Sequence, residues 1–491
     1  MKSLKNNTNA SVLVNSISVF IPVKSFKVDF EYITKSSVPA ITQTAINLIG
    51  LFDNLSISEL QIYFGLNSQE INTLVSDLIK TTYIFENSEG NLQVTEKFRD
   101  IEVSWNDQIV LDEFKNYFGD LWIDTITNSI QFIDRKSYAL KGLKTFSKEN
   151  NSIDVHSLFK EQFNRYKDTS KKVELQSGAS KLYKINRCEY IKMENLVLTI
   201  DFSLRHDMDG LQITMISNLQ EQNSFSNRLI QNSGLYLETV EFLINRQPPK
   251  SFYDFEQYIH KFKDIFLTTY VYPESVKFSL FLKDYLNDRI KNTDEDTLIV
   301  GPIYLDKNKT LFLKFISEID FNIPENNFPI LWRPSNDEFW GASENFKSFS
   351  TEVDKLSELN FFELAICVPN IEKRDEKDYK FKFNKFVNSL YLLNYHDKSN
   401  GYQELSELEF MIFDGHDKFA FVQYSYYDES LHNGLPIKVG YLTRNIEKIS
   451  IIKDYFKKSN VEISSVKMIL PDSDEDNFGN TKNYVLDFFK I

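Results

Sequence analysis

The stretch TQTAINLIGLFDNLSISELQIYFGLNSQEINTLVSDLIKTTYIFENSEGNLQVTEKFRD, residues 42–100, reads as three short helices followed by a hairpin. Ile46, Ile49 and Phe52 recur at helical spacing and mark one side of a first helix. Ser56 and Glu59 form a capping-box pair for a second helix carrying Leu60 and Phe64, which Gly65 ends. Asn67 and Glu70 repeat the pair for a third, with Ile71, Leu74, Val75 and Leu78 inward. Ile84–Glu86, the turn 87–91 and Leu92–Val94 then make a short hairpin.

This pattern, with Asn91-Leu92-Gln93-Val94-Thr95-Glu96-Lys97-Phe98 after the hairpin, resembles bacterial winged-helix regulators over about an eighth of the chain. The resemblance implies that the third helix presents Gln69, Asn72, Thr73 and Lys80 to DNA. Gln and Asn can read adenine edges, and Thr can reach phosphates. Lys80 is that helix's single cation, against Glu70 and Asp77. Many winged helices bind proteins instead, so a partner protein stays open as the target.

Working outward, Ser18–Val23 and Phe26–Phe30 read as two short strands, the second with one face buried against the winged helix. Gln108–Phe132 returns to a helical pattern through Val110, Phe114, Phe118 and Leu121. Leu196–Ile200 and Leu211–Ile216 read as strands joined by a polar turn ending at Gly210, and Pro248-Pro249 marks a boundary. From about 275, helices and strands alternate, as in an α/β sheet. The expected fold class is therefore α+β or α/β and multidomain. The expected domains are 1–104, with the winged helix, 105–250, a mixed α/β middle, and 275–491, a C-terminal α/β domain.

The chain has 491 residues, 42% hydrophobic and 14% aromatic, enough for sizeable cores. No run of about 18 apolar residues occurs, and the polar start carries no signal-peptide core, so a cytoplasmic location is expected. Cys188 and Cys367 stand far apart and form neither a disulfide framework nor a zinc cluster. No His pair has metal-ligand spacing, and no glycine-rich phosphate loop or Gly-x-Ser-x-Gly elbow appears. No metal or cofactor is expected. The acidic run Asp472–Asp476 reads as a solvated loop.

Net charge is −14, which argues against a general nucleic-acid coat and requires any such binding to use a local patch. One segment qualifies. Between Lys160 and Lys192 nine cations, including Lys171, Lys172, Lys181, Lys184 and Arg187, face four carboxylates, a local +5. Phe159, Phe163, Tyr166, Tyr183 and Tyr190 are interleaved, a mixture suited to phosphate attraction and base stacking.

Residues 278–460 resemble the phospholipase D-like fold, through Leu298-Ile299-Val300, His416–Gln423, Val439–Arg444 and the closing helix Ile446–Lys457. Active members need His-x-Lys-x4-Asp, in which the His attacks phosphorus and the Lys steadies the oxyanion. His416 and Lys418 fit, but Gln423 stands where the Asp belongs. A second triplet, His396-Asp397-Lys398, meets Gln403 at the same spacing. Degenerate domains of this kind follow winged helices in some sugar-sensing regulators; this chain differs by its large middle region.

Together these features point to a non-enzymatic DNA-binding protein, either a regulator or the recognising subunit of a bacterial, phage-defence-like system with protein partners and no membrane. Two alternatives remain: a divergent phosphodiesterase or nuclease using His416 and Lys418, and a protein-interaction scaffold.

Overall fold

The computed structural model describes residues 11–37, 39–80, 82–99, 110–132, 143–146, 154–169, 175, 180–207, 210–217, 234–245, 254–273, 275–320, 328–337, 339–360, 362–370, 375–383, 387, 389–395, 407–428, 431, 435–458, 463–470 and 479–489. Pro248-Pro249, the acidic run 472–476, the triplet 396–398 with Gln403, and Lys171 and Lys172 lie outside them. The chain is mixed α/β, with several sheets. No described helix is long and apolar enough to cross a membrane.

The first half runs β1 (Ser11–Ser37), α1 (Ala40–Phe52), β2 (Leu55–Ser56), α2 (Ile57–Phe64), α3 (Ser68–Lys80), β3 (Ile84–Glu86), β4 (Asn91–Val94) and α4 (Glu96–Arg99). It continues with β5 (Val110–Asp124), β6 (Ile130–Gln131), α5 (Val155–Glu161), α6 (Phe163–Thr169), β7 (Lys181–Asp207) and β8 (Gly210–Ser217), and a two-stranded ribbon of β9 (Val271–Tyr272) and β10 (Ser275–Val276) follows. The chain divides into two compact units, one comprising 25–122 and 152–192, the other the remainder.

Within the smaller unit, both capping boxes form. Glu59 N–H donates to Ser56 Oγ at 3.2 Å, while Ser56 N–H donates to Glu59 at 2.9 Å. Asn67 Oδ1 accepts from the backbone of Gln69 and Glu70, each at 2.9 Å, and Glu70 accepts from Asn67 N–H. Gly65 ends α2 at φ 63°, a left-handed value that glycine adopts without Cβ strain. In the hairpin, Asn87 Oδ1 takes the N–H groups of Glu89 and Asn91. β4 pairs with β3 and also with β2, a strand the sequence reading does not contain. Ala45, Ile46, Ile49, Leu60, Ile71, Leu74, Leu78, Ile84 and Leu92 share one core. Phe52, expected inward with Ile46 and Ile49, is instead exposed.

Three expectations are corrected here. The two N-terminal strands are one strand of 27 residues. Its buried face does not pack on α1–α3 at Phe30: that ring lies 5.3–5.7 Å from Tyr117, Phe159, Phe163 and Tyr166. Where a helix is expected over 108–132, the described residues form strand β5 and, after a turn, β6, with Leu121 and Ile123 buried and Phe114 and Phe118 exposed. A spacing of four keeps Phe114 and Phe118 on one face in a helix and in a strand alike. The alternation around Tyr117, Leu121 and Ile123 decides for the strand.

The larger unit holds an eight-stranded sheet: β11 (Asp296–Val300), β12 (Ile330–Arg333), β13 (Leu364–Asn370), β14 (Ser389–Tyr395), β15 (Leu408–Phe413), β16 (Phe419–Tyr426), β17 (Ile437–Thr443) and β18 (Ile463–Leu470). Their order is β11-β17-β16-β15-β12-β13-β14-β18, with β12, β13 and β14 parallel. Helices 306–317, 344–360 and 446–458 fall between strands, as the alternating pattern implies. At Gly440 an added Cβ would sit 2.0 Å from the Val422 carbonyl oxygen, so only glycine fits. A buried pair ties three strands together: Lys438 Nζ lies 2.8 Å from Glu409, which also accepts the indole N–H groups of Trp332 and Trp340.

Leu74 is buried where α3 meets the α1–α2 core. Leu74→Ala should therefore cost about 2–5 kcal/mol, read as a lower denaturation midpoint. An unchanged midpoint would contradict this packing.

Candidate nucleic-acid interface

Two surfaces of the smaller unit carry the residues singled out from sequence. On α3, Gln69, Asn72, Thr73, Ser76 and Lys80 are all exposed, because Ile71, Leu74, Val75 and Leu78 take the opposite face inward. Thr73 Oγ1 donates back to the Gln69 carbonyl at 3.0 Å. Lys80 is 2.9 Å from Asp77 Oδ1, so its charge is already matched. Arg99 is likewise 2.9 Å from Asp53. Residues 40–99 hold three cations and seven carboxylates, a net −4.

The basic segment 160–192 separates into a helical part and a strand part. Phe159, Phe163 and Tyr166 are core residues around Phe30 and cannot stack on bases. Lys167 is buried too, donating to the Ser180 carbonyl at 2.9 Å. On β7, Lys181, Tyr183, Lys184, Arg187 and Tyr190 are exposed. Arg187 is paired with Glu189. Lys181 and Lys184 have no carboxylate within ion-pair distance among the described residues.

The larger unit holds the other candidates. His416 and Lys418 lie in the turn between β15 and β16, beside a hollow of about 360 Å³ that Glu318, Asp417, Arg444 and Ile446 also line. Lys418 is 3.3 Å from Asp414 and Arg444 is 3.0 Å from Glu318. Gln423 is far along β16, four residues past Phe419 or roughly 13 Å of extended chain. It is buried, and its amide donates to the Gly301 carbonyl at 2.8 Å. The turn and Gln423 thus belong to different places, and no carboxylate occupies position 423 to support His416.

Among the described residues no cluster of three or more His, Cys, Asp or Glu side chains could hold a metal ion. Burial raises both thiols, Cys188 to about 11 and Cys367 well above the ordinary range, so neither is a thiolate at neutral pH.

No family model and no curated protein matches the chain. A solved structure with some likeness is that of TrmBL2, an archaeal chromatin protein described as showing a novel mode of DNA binding. The match has 12% identity, covers 37% of this chain and 59% of that one, and gives a TM-score of 0.18. It spans less than two-thirds of that protein and is too slight to assign a fold.

With Gln423 turned into the sheet, the purified chain should show no metal-independent phosphodiesterase activity. Cleavage of a generic phosphodiester that disappears in His416→Ala would contradict this.

Proposed function

We propose that the chain is a non-enzymatic nucleic-acid-binding protein in which residues 40–99 form a winged helix and β7 supplies the backbone contacts. In this reading residues 275–491 form a degenerate phospholipase D-like domain that serves the assembly without catalysis. The observation that carries the proposal is the pair Lys181 and Lys184, exposed and unmatched by carboxylates on a segment of local charge +5. Phosphate neutralisation supplies much of the affinity in such complexes, so unmatched cations count and paired ones count little. On α3, Gln69 and Asn72 have the amide donors and acceptors to read base edges, but no free cation accompanies them. Affinity and sequence preference are therefore divided between β7 and α3.

A second reading has the winged helix meeting a protein partner. It is favoured by the net −4 of residues 40–99 and by Leu51, Phe52, Ile62 and Tyr63, which are exposed apolar side chains on α1 and α2.

Replacing Lys181 and Lys184 together by Ala should weaken binding to all sequences alike. It should also lower the salt slope by about 1.8, at about 0.9 per lost duplex phosphate contact. Replacing Gln69 and Asn72 should change sequence preference with little effect on non-specific affinity. The measurement is fluorescence anisotropy over a salt series. Equal affinity and slope for the double-lysine variant and the parent would contradict the proposal.

A further inference from the structure

Within the smaller unit, the neighbouring strands β5, β1 and β7 form a sheet with unlike faces. One is closed by α5 and α6, whose Phe159, Phe163 and Tyr166 pack around Phe30 with Tyr117 from β5. Side chains alternate along a strand, so Phe114 and Phe118 point opposite to Tyr117. They are 59% and 65% exposed, and Tyr183 of β7 is 58% exposed. Burying such rings ordinarily contributes about 1.5–3 kcal/mol each, so a cluster of them in water marks a contact surface.

The rings are arranged rather than scattered. Phe114 meets Tyr183 edge to face, with centroids 5.0 Å apart. Phe118 is four residues along β5, about 13 Å away, with Lys27 Nζ 5.5 Å from its centroid. Of the described carboxylates nearby, Asp120 is ion-paired, while Asp29 and Glu31 meet only a neutral amide. Asp120 pairs with Lys27, and the Asn186 amide lies 3.3 Å from Glu31 and 3.5 Å from Asp29. Lys181, two residues before Tyr183 and so on the same side of β7, has no ion-pair partner among the described residues.

We infer that this open face binds single-stranded nucleic acid, with unpaired bases stacked on Phe114, Phe118 and Tyr183 and a phosphate held by Lys181. The inference rests on the nucleic-acid reading above and adds the substrate class. A ring can stack only on a base that is free of its partner strand, and such stacking tolerates any sequence. A duplex hides its base faces and offers its grooves to a helix or ribbon instead.

The test uses the full chain with a labelled 20-nucleotide single strand and the matching duplex. The parent should bind the single strand more tightly. The triple variant Phe114→Ala/Phe118→Ala/Tyr183→Ala should bind it at least tenfold more weakly while keeping its duplex affinity and its melting temperature. Phe114→Tyr/Phe118→Tyr, which keeps the rings, should bind like the parent. Undiminished single-strand binding by the triple variant overturns this inference and leaves the wider reading standing. So does a parent that self-associates through these rings, becoming monomeric in the triple variant with oligonucleotide binding unchanged. A parent that binds neither oligomer defeats the wider reading as well.

Discussion

A lysine or arginine in a chain of net charge −14 is either held by neighbouring groups of the protein or left to meet an anion from outside. That division governs where a polyanion can rest on this protein. Lys80 and Arg99 are matched by Asp77 and Asp53, Arg187 by Glu189, and Arg444 by Glu318. Lys438 is matched inside the sheet by Glu409, a carboxylate that two indole N–H groups also hold. Such a buried pair gains little over an apolar core, yet leaving one partner alone would cost about 3–5 kcal/mol. Its cation is committed to the fold. Those on β7 at Lys181 and Lys184 are not, and an acidic molecule with weak long-range attraction for nucleic acid must rely on such local charges.

Strand alternation provides the second half of the interface. β5 sends Tyr117, Leu121 and Ile123 to one side and Phe114 and Phe118 to the other, so the same strand that closes a core also raises rings into solvent. The ring surface and the unmatched lysines both lie within the smaller unit, which also contains α3.

Local signals were legible in the sequence wherever their chemistry is local. Ser56 with Glu59, Asn67 with Glu70, and Gly65 placed the ends of α2 and α3, because caps act over three or four residues. The alternation beyond residue 275 announced an α/β sheet, though not that most of its neighbours are antiparallel. Phe114 and Phe118 were misread because a spacing of four fits both periods. Phe52 was misread because it closes the last turn of α1, where periodicity no longer dictates burial. The core role of Phe159, Phe163 and Tyr166 depends on Phe30, more than a hundred residues earlier, and no local pattern encodes that contact. Ion pairing across distance was equally hidden: Lys27 with Asp120 and Lys438 with Glu409 meet only in the folded chain.

The most direct test of where nucleic acid rests is ultraviolet cross-linking of the full chain to a single-stranded oligonucleotide, with the attached peptides identified by mass spectrometry. The account predicts adducts within residues 110–122 and 181–192. Adducts confined to residues 278–460, with none on β5 or β7, would contradict it.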